Sequence, residues 1–375
     1  MVYTIPEVGT MSGLLTDDQR LETPLGKSDK KRRLRLLDYT AEPTWVFGEE
    51  YILQQGLSRQ TNCSHSIKNK LAQNEWLRER FQPRITLFMD ERHFNSSEWE
   101  RLEPFPSPFG WMALNFSVVK EAVSLLPRVA KQDILAEGPR RQSQNCVTCA
   151  VVGNGGILNQ SRMGQEIDSH DYVFRANAAI TEGFQDDVGK RTSFYCFSGH
   201  TLLGSLENLE QNGYKPAIPQ GEETKYIHLA ETESDYEWIT ALSQNNEIRK
   251  GSLGLPGLRP RAYFGETFTM KKYLVLHPDF MRYIKARFFK SAKLRGPRWY
   301  LYRPSMGAIL IMSALHLCDE VNAYGFMTDG YHNYSGHYYD RVKKPLVIST
   351  NHDFFLEQEL WKTFHRENII RLFQG

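Results

Sequence analysis

Apolar and polar positions follow two alternating patterns along most of this chain. From residue 149 onward, short runs rich in β-branched and aromatic residues are separated by segments in which apolar residues recur at helical spacing. The short runs predict strands at residues 149–153, 172–175, 193–197, 226–229, 272–276 and 321–326. Because strands that alternate with helices are typical of a mostly parallel sheet covered by helices on both faces, the pattern predicts an α/β, Rossmann-like fold.

Helical spacing is clearest in three segments. Between residues 68 and 137, Trp, Phe and Leu recur among charged residues, which predicts amphipathic helices that pack onto the sheet. Helices are also predicted over residues 280–289 and 308–317, the second with Ser305 at its cap position. A last apolar run at residues 346–348 predicts a strand that ends where another helix begins.

Residues 1–60 carry little periodic pattern, which predicts a partly flexible stem or tether before a single domain over 61–375. A basic run at 27–35 fits this tether; a nuclear signal or a nucleic-acid arm is the alternative. The 46 basic and 44 acidic residues leave a net charge of +2, which argues against nucleic-acid binding. Because no run of about eighteen apolar residues occurs, no membrane anchor is predicted and the chain is expected to be soluble.

The cysteines are scattered, and they are accompanied by N-X-Ser sequons at Asn62, Asn95, Asn115, Asn159 and Asn333. Cys146 and Cys149 have the spacing of a redox or zinc motif, but no second cysteine pair or histidine pair completes a zinc site. Disulfide bonds, formed in an oxidising lumen or outside the cell, are therefore expected. The odd count of 5 leaves one free thiol, which we assign to Cys196 in an apolar run.

A glycine turn at residues 153–156 follows the first predicted strand. It differs from the dinucleotide fingerprint GxGxxG, because Leu158 fills the third glycine position. The turn can still bring backbone N–H groups close to a phosphate, with the side-chain amide of Asn154 as a further donor. Ser305 and Gly307 form a second helix start of this kind. A Rossmann-type NAD-dependent oxidoreductase remains an alternative interpretation.

Two histidines are candidate catalytic residues. His352 is the candidate general base, because amide dipoles at a helix start disfavour the imidazolium ion; alternatively, Asn351 caps the helix and His352 is a polar first-turn residue. His337, in a glycine-rich loop, either hydrogen-bonds a leaving phosphate or is simply solvated. Glu357 is off the helical face of His352 and is expected to position backbone or substrate. Without an Asp-X-Asp pair, we predict chemistry that needs no metal.

These segments resemble the animal sialyltransferase family in four motifs that occur in the family's order. The long motif is similar to residues 149–193, the short motif to 304–326, the third motif to 337–340, and the very short motif to His352 with Glu357. The resemblance implies inverting, metal-independent transfer of sialic acid from CMP-sialic acid. It also implies a variant of the Rossmann-like glycosyltransferase A fold, in which the variable residues 206–300 decide the acceptor.

The resemblance further implies roles for individual residues. Asn154, with Gly155 beside it, and Asn177 are expected to hold the phosphate and ribose region of CMP. His337 is expected to steady the leaving phosphate, and His352 to act as the base. The cytidine is expected to lie against Ser305, Gly307, the backbone of Gly325 and the ring of Phe326, and Met306 belongs to the same donor site.

Two further expectations come from the same resemblance. Family members join the cysteine of the long motif to that of the short motif, which implies a bond between Cys149 and Cys318. Cys63 and Cys146 then remain for a second bond. Met306 departs from the family pattern, which has threonine at this position. One hydrogen bond to CMP-sialic acid that the threonine would make is therefore not expected here.

The segment 324–340 and the ending 351–374 resemble the α-2,6 enzymes that act on N-acetylgalactosamine of mucin-type O-glycans. This subgroup implies O-glycosylated glycoproteins as acceptors. It also implies a Golgi lumen location and, for the full-length protein, a type II membrane anchor that this chain is expected to lack. The alternatives are α-2,3 transfer to galactose and a sugar-nucleotide-binding protein without activity.

Overall fold

One sheet of eight strands organises the residues described in the computed structural model, namely 36, 39–45, 47–54, 61–129, 134–135, 146–215, 217–248 and 257–375. The strands are β1 (Phe88–Met89), β2 (Thr148–Val152), β3 (Tyr172–Ala176), β4 (Phe194–Phe197), β5 (Lys225–His228), β6 (Tyr273–Leu276), β7 (Glu320–Tyr324) and β8 (Arg371–Leu372). Their order across the sheet is β1-β6-β5-β4-β3-β2-β7-β8. Among these eight described strands, only β1 pairs antiparallel, with β6, so the predicted mostly parallel α/β sheet is confirmed.

Helices cover both faces of this sheet. They are α1 (Ile67–Gln73), α2 (Glu75–Arg80), α3 (Ser96–Leu102), α4 (Phe116–Ser124), α5 (Gly164–Ser169), α6 (Gln185–Val188), α7 (Gly199–Gln211), α8 (Glu233–Gln244), α9 (Pro278–Arg287), α10 (Met306–Leu317) and α11 (Phe354–Arg366). Short 3₁₀ helices lie at Glu91–His93, Gly156–Leu158, Pro260–Tyr263, Met270–Lys272, Ala292–Arg295, Trp299–Leu301 and Tyr331–Asn333.

The central strand β2 shows why both faces are covered. Cys149 and Val151 belong to one buried apolar cluster, whereas Ala150 and Val152 belong to another. Successive side chains of a strand point to opposite faces, so a strand that is apolar throughout needs a packed layer on each side. α10 supplies much of the first layer: it packs on β2, β3 and β7 and is buried along its length from Ala308 onward.

The described part of the predicted tether lies against this domain. Residues 1–35, with the basic run, lie outside the described residues. Farther along, the N–H of Glu42 donates to the carbonyl of Leu294 at 2.8 Å, and the N–H of Ile52 donates to Asp279 Oδ2 at 2.7 Å. The folded unit therefore begins earlier than the predicted boundary at residue 61, because the main-chain N–H groups of Glu42 and Ile52 already donate hydrogen bonds to the domain.

Three short elements differ from the prediction. The apolar run at residues 346–348 is not a strand: it has no ladder partner, and Val347 is 80% exposed. Conversely, β1 and β8 were not predicted. Each contains two residues at a sheet edge, and so short a segment carries no detectable alternation. Pairing with β6 and β7 defines these two strands, not their own sequence.

Two disulfide bonds connect distant parts of the chain. Cys149 on β2 is bonded to Cys318, which directly follows α10, and Cys63 is bonded to Cys146. These are the pairs that the family resemblance implies. Cys196 on β4 is a buried free thiol, as expected. The first bond fixes the end of α10 against strand β2.

Within the described ranges, none of the helices is both long and apolar enough to cross a membrane.

Replacing Cys149 and Cys318 together by alanine is expected to lower the free energy of unfolding by about 2–5 kcal/mol, because the bond closes a long loop in the unfolded chain. Urea titration measures this change. The Cys63 and Cys146 double variant is the matched control. Its bond spans 83 residues and not 169, so loop entropy alone predicts a loss smaller by about 0.6 kcal/mol. Unchanged stability without the Cys149–Cys318 bond would contradict this account.

Candidate active site

A crevice opens where the chain order of the strands reverses. β2 is an interior strand of the sheet, with β3 on one side and β7 on the other. At such a position the connections after neighbouring strands diverge, which leaves space at the carboxyl ends of the strands. A cavity of about 350 Å³ lies here, and the loops after β2, β3 and β7 contribute to its lining.

Two glycines allow the loops after β2 and β7 to approach each other closely. The N–H of Gly155 donates to the carbonyl oxygen of Gly325 at 3.0 Å. A Cβ atom on Gly155 would lie 2.5 Å from that oxygen, so no larger residue fits. Gly325 has a φ of 73°, which glycine adopts without strain. This contact fixes one wall of the cavity.

Asn154 and Asn177 meet across the crevice. Asn154 Nδ2 donates to the main-chain oxygen of Asn177 at 2.8 Å, and the N–H of Asn177 donates to the carbonyl of Cys196 at 2.9 Å. Asn154 Oδ1 is buried and has no hydrogen-bond partner among the described residues. Because an unpaired buried oxygen costs free energy, this atom is suited to accept a hydrogen bond from a ligand.

Ser305 caps α10, and the helix start lines the cavity. Its Oγ accepts a hydrogen bond from the N–H of Ala308 at 3.1 Å, which satisfies one of the N–H groups that a helix leaves unpaired. The ring of Phe326 packs over Gly307, since a Cβ atom there would lie 2.8 Å from Phe326 Cε1. Met306 also lines the cavity, and its sulfur lies 3.1 Å from Cys196 Sγ.

Glu357 connects this helix start to α11. Its carboxylate accepts the N–H of Ser305 at 2.7 Å and the hydroxyl of Ser305 at 2.6 Å. Burial raises the pKa of Glu357 to about 7, although both hydrogen bonds from Ser305 oppose the rise. Glu357 therefore positions backbone, as the spacing from His352 predicted.

His352 lies on the same wall of the cavity. Its Nδ1 lies 2.9 Å from the main-chain oxygen of Arg303, so Nδ1 carries the proton and Nε2 is the unprotonated nitrogen. The pKa of His352 is lowered to about 4, mainly by burial; the hydrogen bond with Arg303 opposes this shift, and the charges of Arg303 and Lys293 add to it. The imidazole is therefore neutral at physiological pH and able to accept a proton.

The helix after His352 does not begin at Asn351, the alternative cap residue in the sequence analysis. Asp353, and not Asn351, caps α11, and its Oδ1 accepts the N–H of Leu356 at 3.2 Å. The carbonyl of Asn351 accepts the N–H of Arg303 at 3.0 Å. His352 thus precedes the cap and is held by Arg303. Burial, and not the helix dipole that we invoked, is the main cause of its neutrality.

His337 lies at the exposed rim of the cavity, where 46% of its side chain is accessible. Its main-chain N–H donates to Asp340 Oδ2 at 2.8 Å, and its ring stacks on Tyr339 with the centroids 5.0 Å apart. Burial alone would raise the pKa of Asp340, but hydrogen bonds from His337 and Ser335 hold that pKa at about 2. Asp340 therefore stays charged and orients the imidazole.

The structure brings every predicted donor-site and catalytic residue to one cavity. The lining includes Asn154, Gly155, Asn177, Ser305, Met306, Gly307, Gly325, Phe326, His337 and His352. The shared cavity shows that motifs up to two hundred residues apart in sequence form one site.

The sequence did not indicate an ion pair that also lines this cavity. Arg303 and Glu231 form it through Arg303 Nε and Glu231 Oε1. Burial raises the pKa of Glu231, and the guanidinium of Arg303 opposes this effect. The two residues are 72 positions apart, so no local spacing could reveal the contact.

Glycine turns and capped helix starts bind phosphates in α/β proteins, because their N–H groups point at the anion. Here the glycine turn, the capped start of α10 and the neutral His352 line one cavity, at the point where the strand order of the sheet reverses. The fold and the site are therefore those of an α/β protein with features typical of nucleotide binding and a neutral histidine in the same cavity.

The chain belongs to glycosyltransferase family 29 (sialyltransferase), whose sequence model matches residues 88–369. It is 52% identical over 345 residues to α-N-acetylgalactosaminide α-2,6-sialyltransferase 1 of Gallus gallus, an alignment that covers 92% of this chain and 61% of that protein. Identity to the Homo sapiens protein of that name is 48%, with 92% and 58% covered. The chain thus spans roughly three fifths of the length of these two relatives. For α-N-acetylgalactosaminide α-2,6-sialyltransferase 2 of Mus musculus, identity is 40% and 83% of each chain is covered.

Solved structures agree with this family. The crystal structure of a mammalian sialyltransferase has a TM-score of 0.59 and 26% identity, covering 84% of this chain and 99% of that one. The sialyltransferase fold expected from the motifs is therefore confirmed. Family membership also removes the oxidoreductase alternative. Buried Leu158 stands where a dinucleotide fingerprint needs glycine, and its Cδ1 would lie 2.7 Å from a Cβ atom on Gly325.

Replacing His352 by glutamine is expected to change how stability depends on pH. In the wild type, the pKa of His352 is about 4 in the fold and about 6.5 in the unfolded chain. The unfolded chain binds more protons between these values, so stability is lost as pH falls from 6.5 towards 4. The variant lacks this loss, which amounts to a few kcal/mol at most, at about 1.4 kcal/mol per pH unit.

Urea titrations over this pH range measure the difference between wild type and His352→Gln. The stability advantage of the wild type should shrink as the solution becomes more acidic. His332→Gln is the control, because His332 is exposed and is not among the residues that line the cavity. Parallel curves for wild type and His352→Gln would contradict a histidine held neutral by burial.

Proposed function

We propose that this chain transfers sialic acid from CMP-sialic acid to the 6-hydroxyl of N-acetylgalactosamine in O-linked glycans of glycoproteins. The anomeric carbon is inverted, and no metal takes part. The observation that carries this proposal is the neutral His352, whose Nε2 is available as a base in the cavity that also contains a glycine turn and a capped helix start. Relatives named for α-2,6 transfer to N-acetylgalactosaminides support the linkage and the acceptor.

The CMP donor is held along the edge formed by β2, β3 and β7. Ser305, Gly307 and the ring of Phe326 bind the cytidine, and N–H groups of the α10 start and the glycine turn stabilise the phosphate. Asn154 offers an acceptor, since its Nδ2 already donates to Asn177 and only Oδ1 lacks a partner. This favours a contact with a ribose hydroxyl over one with the phosphate.

The reaction is a single displacement. The carboxylate of sialic acid withdraws electrons from the anomeric carbon, so the bond to phosphate breaks early and negative charge gathers on the departing CMP. The acceptor oxygen then forms its bond to the anomeric carbon and loses its proton to His352 Nε2. His337, at the cavity rim and oriented by Asp340, donates a hydrogen bond to the leaving phosphate. The protein therefore contributes alignment, one base and hydrogen-bond donors.

The carboxylates of the cavity support metal independence. Glu357 is engaged by Ser305, and Glu231 is paired with Arg303. Divalent ions that bind nucleotide phosphates are held by free carboxylates, and none of the described lining residues provides an unengaged pair. Charge on the leaving phosphate is then neutralised by amide and imidazole donors.

The Golgi lumen is the proposed location. The two disulfide bonds need an oxidising compartment, which the secretory pathway supplies. O-linked glycans of glycoproteins are assembled there, so donor, acceptor and enzyme would share one space. The proposed acceptor is a glycoprotein and not a nucleic acid, in keeping with the net charge of +2.

Replacing His352 by glutamine is expected to lower kcat by about 10²–10⁴-fold, because general base catalysis contributes a factor of this size. The assay uses CMP-sialic acid and a peptide that carries N-acetylgalactosamine, with the linkage of the product determined by specific sialidases. Calorimetry should show that the variant still binds CMP. His332→Gln, an exposed histidine near the site, should retain wild-type turnover.

Three outcomes would contradict parts of this proposal. Undiminished turnover by His352→Gln would refute the base assignment. An α-2,3 product on galactose would refute the proposed linkage. CMP binding by the wild type without transfer to any acceptor would indicate a sugar-nucleotide-binding protein without activity.

Chelation is expected to leave turnover unchanged, because the proposed phosphate ligands are protein donors. Initial rates are measured after dialysis against EDTA and after readdition of Mg²⁺ or Mn²⁺. A loss of activity on dialysis that either ion restores would contradict metal-independent transfer.

A further inference from the structure

The Arg303–Glu231 ion pair is a part of the cavity that the proposed reaction does not use. Arg303 Nε pairs with Glu231 Oε1, and Arg303 Nη2 lies 3.3 Å from Glu231 Oε2. The side chains are 22% and 11% exposed, so the pair is largely withdrawn from water. Both residues line the cavity. A desolvated pair costs free energy to maintain, and its position on a substrate-facing wall points to ligand recognition.

The pair lies next to the proposed base. The main-chain oxygen of Arg303 accepts the proton of His352 Nδ1, and the N–H of Arg303 donates to the carbonyl of Asn351. His352 and Arg303 also line the same cavity, so a sugar bound beside His352 lies near the segment that carries Arg303. The pair thus belongs to the acceptor side of the cavity, close to the group that removes the acceptor proton.

A buried network holds Glu231 in place. Asp235 Oδ2 accepts the main-chain N–H of Glu231 at 2.9 Å, and Asp235 Oδ1 lies 3.0 Å from His228 Nε2. The other ring nitrogen of His228 lies 2.8 Å from the hydroxyl of Tyr273. These three residues are buried on β5, β6 and α8, so the segment with Glu231 is rigidly attached to the sheet. Binding groups fixed in this way are pre-organised for a ligand.

The charge of the pair limits what it binds. The positive charge of Arg303 is compensated by Glu231, so an anionic group such as the carboxylate of the donor sugar gains little and is repelled by Glu231. The pair still offers guanidinium N–H donors beside carboxylate lone pairs. A neutral group with one acceptor and one donor complements this arrangement, and an amide is such a group.

We propose that Arg303 and Glu231 bind the 2-acetamido group of the acceptor N-acetylgalactosamine. A guanidinium N–H of Arg303 donates to the acetamido oxygen, and the carboxylate of Glu231 accepts the acetamido N–H. This inference rests on the proposed function and names the part of the acceptor that the enzyme distinguishes. It explains how the site would select an N-acetylated sugar over one with a hydroxyl at the same carbon.

The test compares two peptides, one with α-linked N-acetylgalactosamine and one with α-linked galactose, which has a hydroxyl in place of the acetamido group. kcat/KM for each is measured for the wild type and for the double variant Arg303→Met with Glu231→Met. Removing both charges together avoids leaving one of them buried and unpaired. Arg128→Met with Glu91→Met is the matched control, since this Arg–Glu pair is exposed and outside the cavity lining.

The wild type and the control should prefer the N-acetylated peptide, and the double variant should lose at least about tenfold of that preference. KM for CMP-sialic acid and the slow hydrolysis of CMP-sialic acid without acceptor should stay unchanged. If the double variant does not fold, as judged by its melting temperature, Arg303→Lys provides the measurement. It keeps the charge but loses the paired donors, so the preference should again fall.

An undiminished preference in a folded variant would overturn the inference. A raised KM for CMP-sialic acid with the acceptor preference intact would overturn it too, because the pair would then contact the donor. Both results leave the proposed function standing, since transfer itself continues. Absence of transfer by the wild type to either peptide would instead overturn the proposed function and this inference with it.

Discussion

One buried carboxylate joins the two halves of the site. Glu357 on α11 accepts both the N–H and the hydroxyl of Ser305 at the start of α10, although 52 residues separate them in sequence. α10 rests on the central strands, whereas α11 directly follows the segment that carries His352. The contact therefore sets the position of His352, the proposed base, relative to the helix start at which we propose that the nucleotide binds. Its loss would let the proposed base and the proposed nucleotide site move apart, although acceptor and donor must be held in line for the reaction.

Burial shifts the pKa values of His352 and Glu357 in opposite directions, but both shifts favour the neutral form of the side chain. It lowers the pKa of His352 to about 4 and raises that of Glu357 to about 7, so each group is shifted towards its neutral form. Arg303 is compensated by Glu231. Among the described residues that line the cavity, the only Lys or Arg is Arg303, whose charge is compensated, although the proposed donor is an anion. In the proposed reaction, the leaving phosphate is then stabilised by oriented N–H groups of the main chain and of His337, which need no rearrangement as charge develops.

The sequence predicted those parts of the molecule that depend on local pattern. The strands of the central sheet follow from short apolar runs, and the cap at Ser305 and the turn at Gly155 follow from residue types with specific backbone preferences. Features decided by distant contacts were missed or misjudged. Residues 346–348 look like a strand but find no partner strand, whereas β8 is a strand only because it pairs with β7. The Arg303–Glu231 pair has no sequence signal for the same reason.

The most direct test of the account is the protonation of His352, measured by ¹⁵N NMR of the imidazole in the wild-type protein near neutral pH. We expect a neutral ring that carries its proton on Nδ1, hydrogen-bonded to Arg303, and has a bare Nε2. Addition of CMP should leave that state unchanged, because the donor site and the base occupy different parts of the cavity. An imidazolium ion, or a ring protonated on Nε2, would contradict the claim that this histidine is the base.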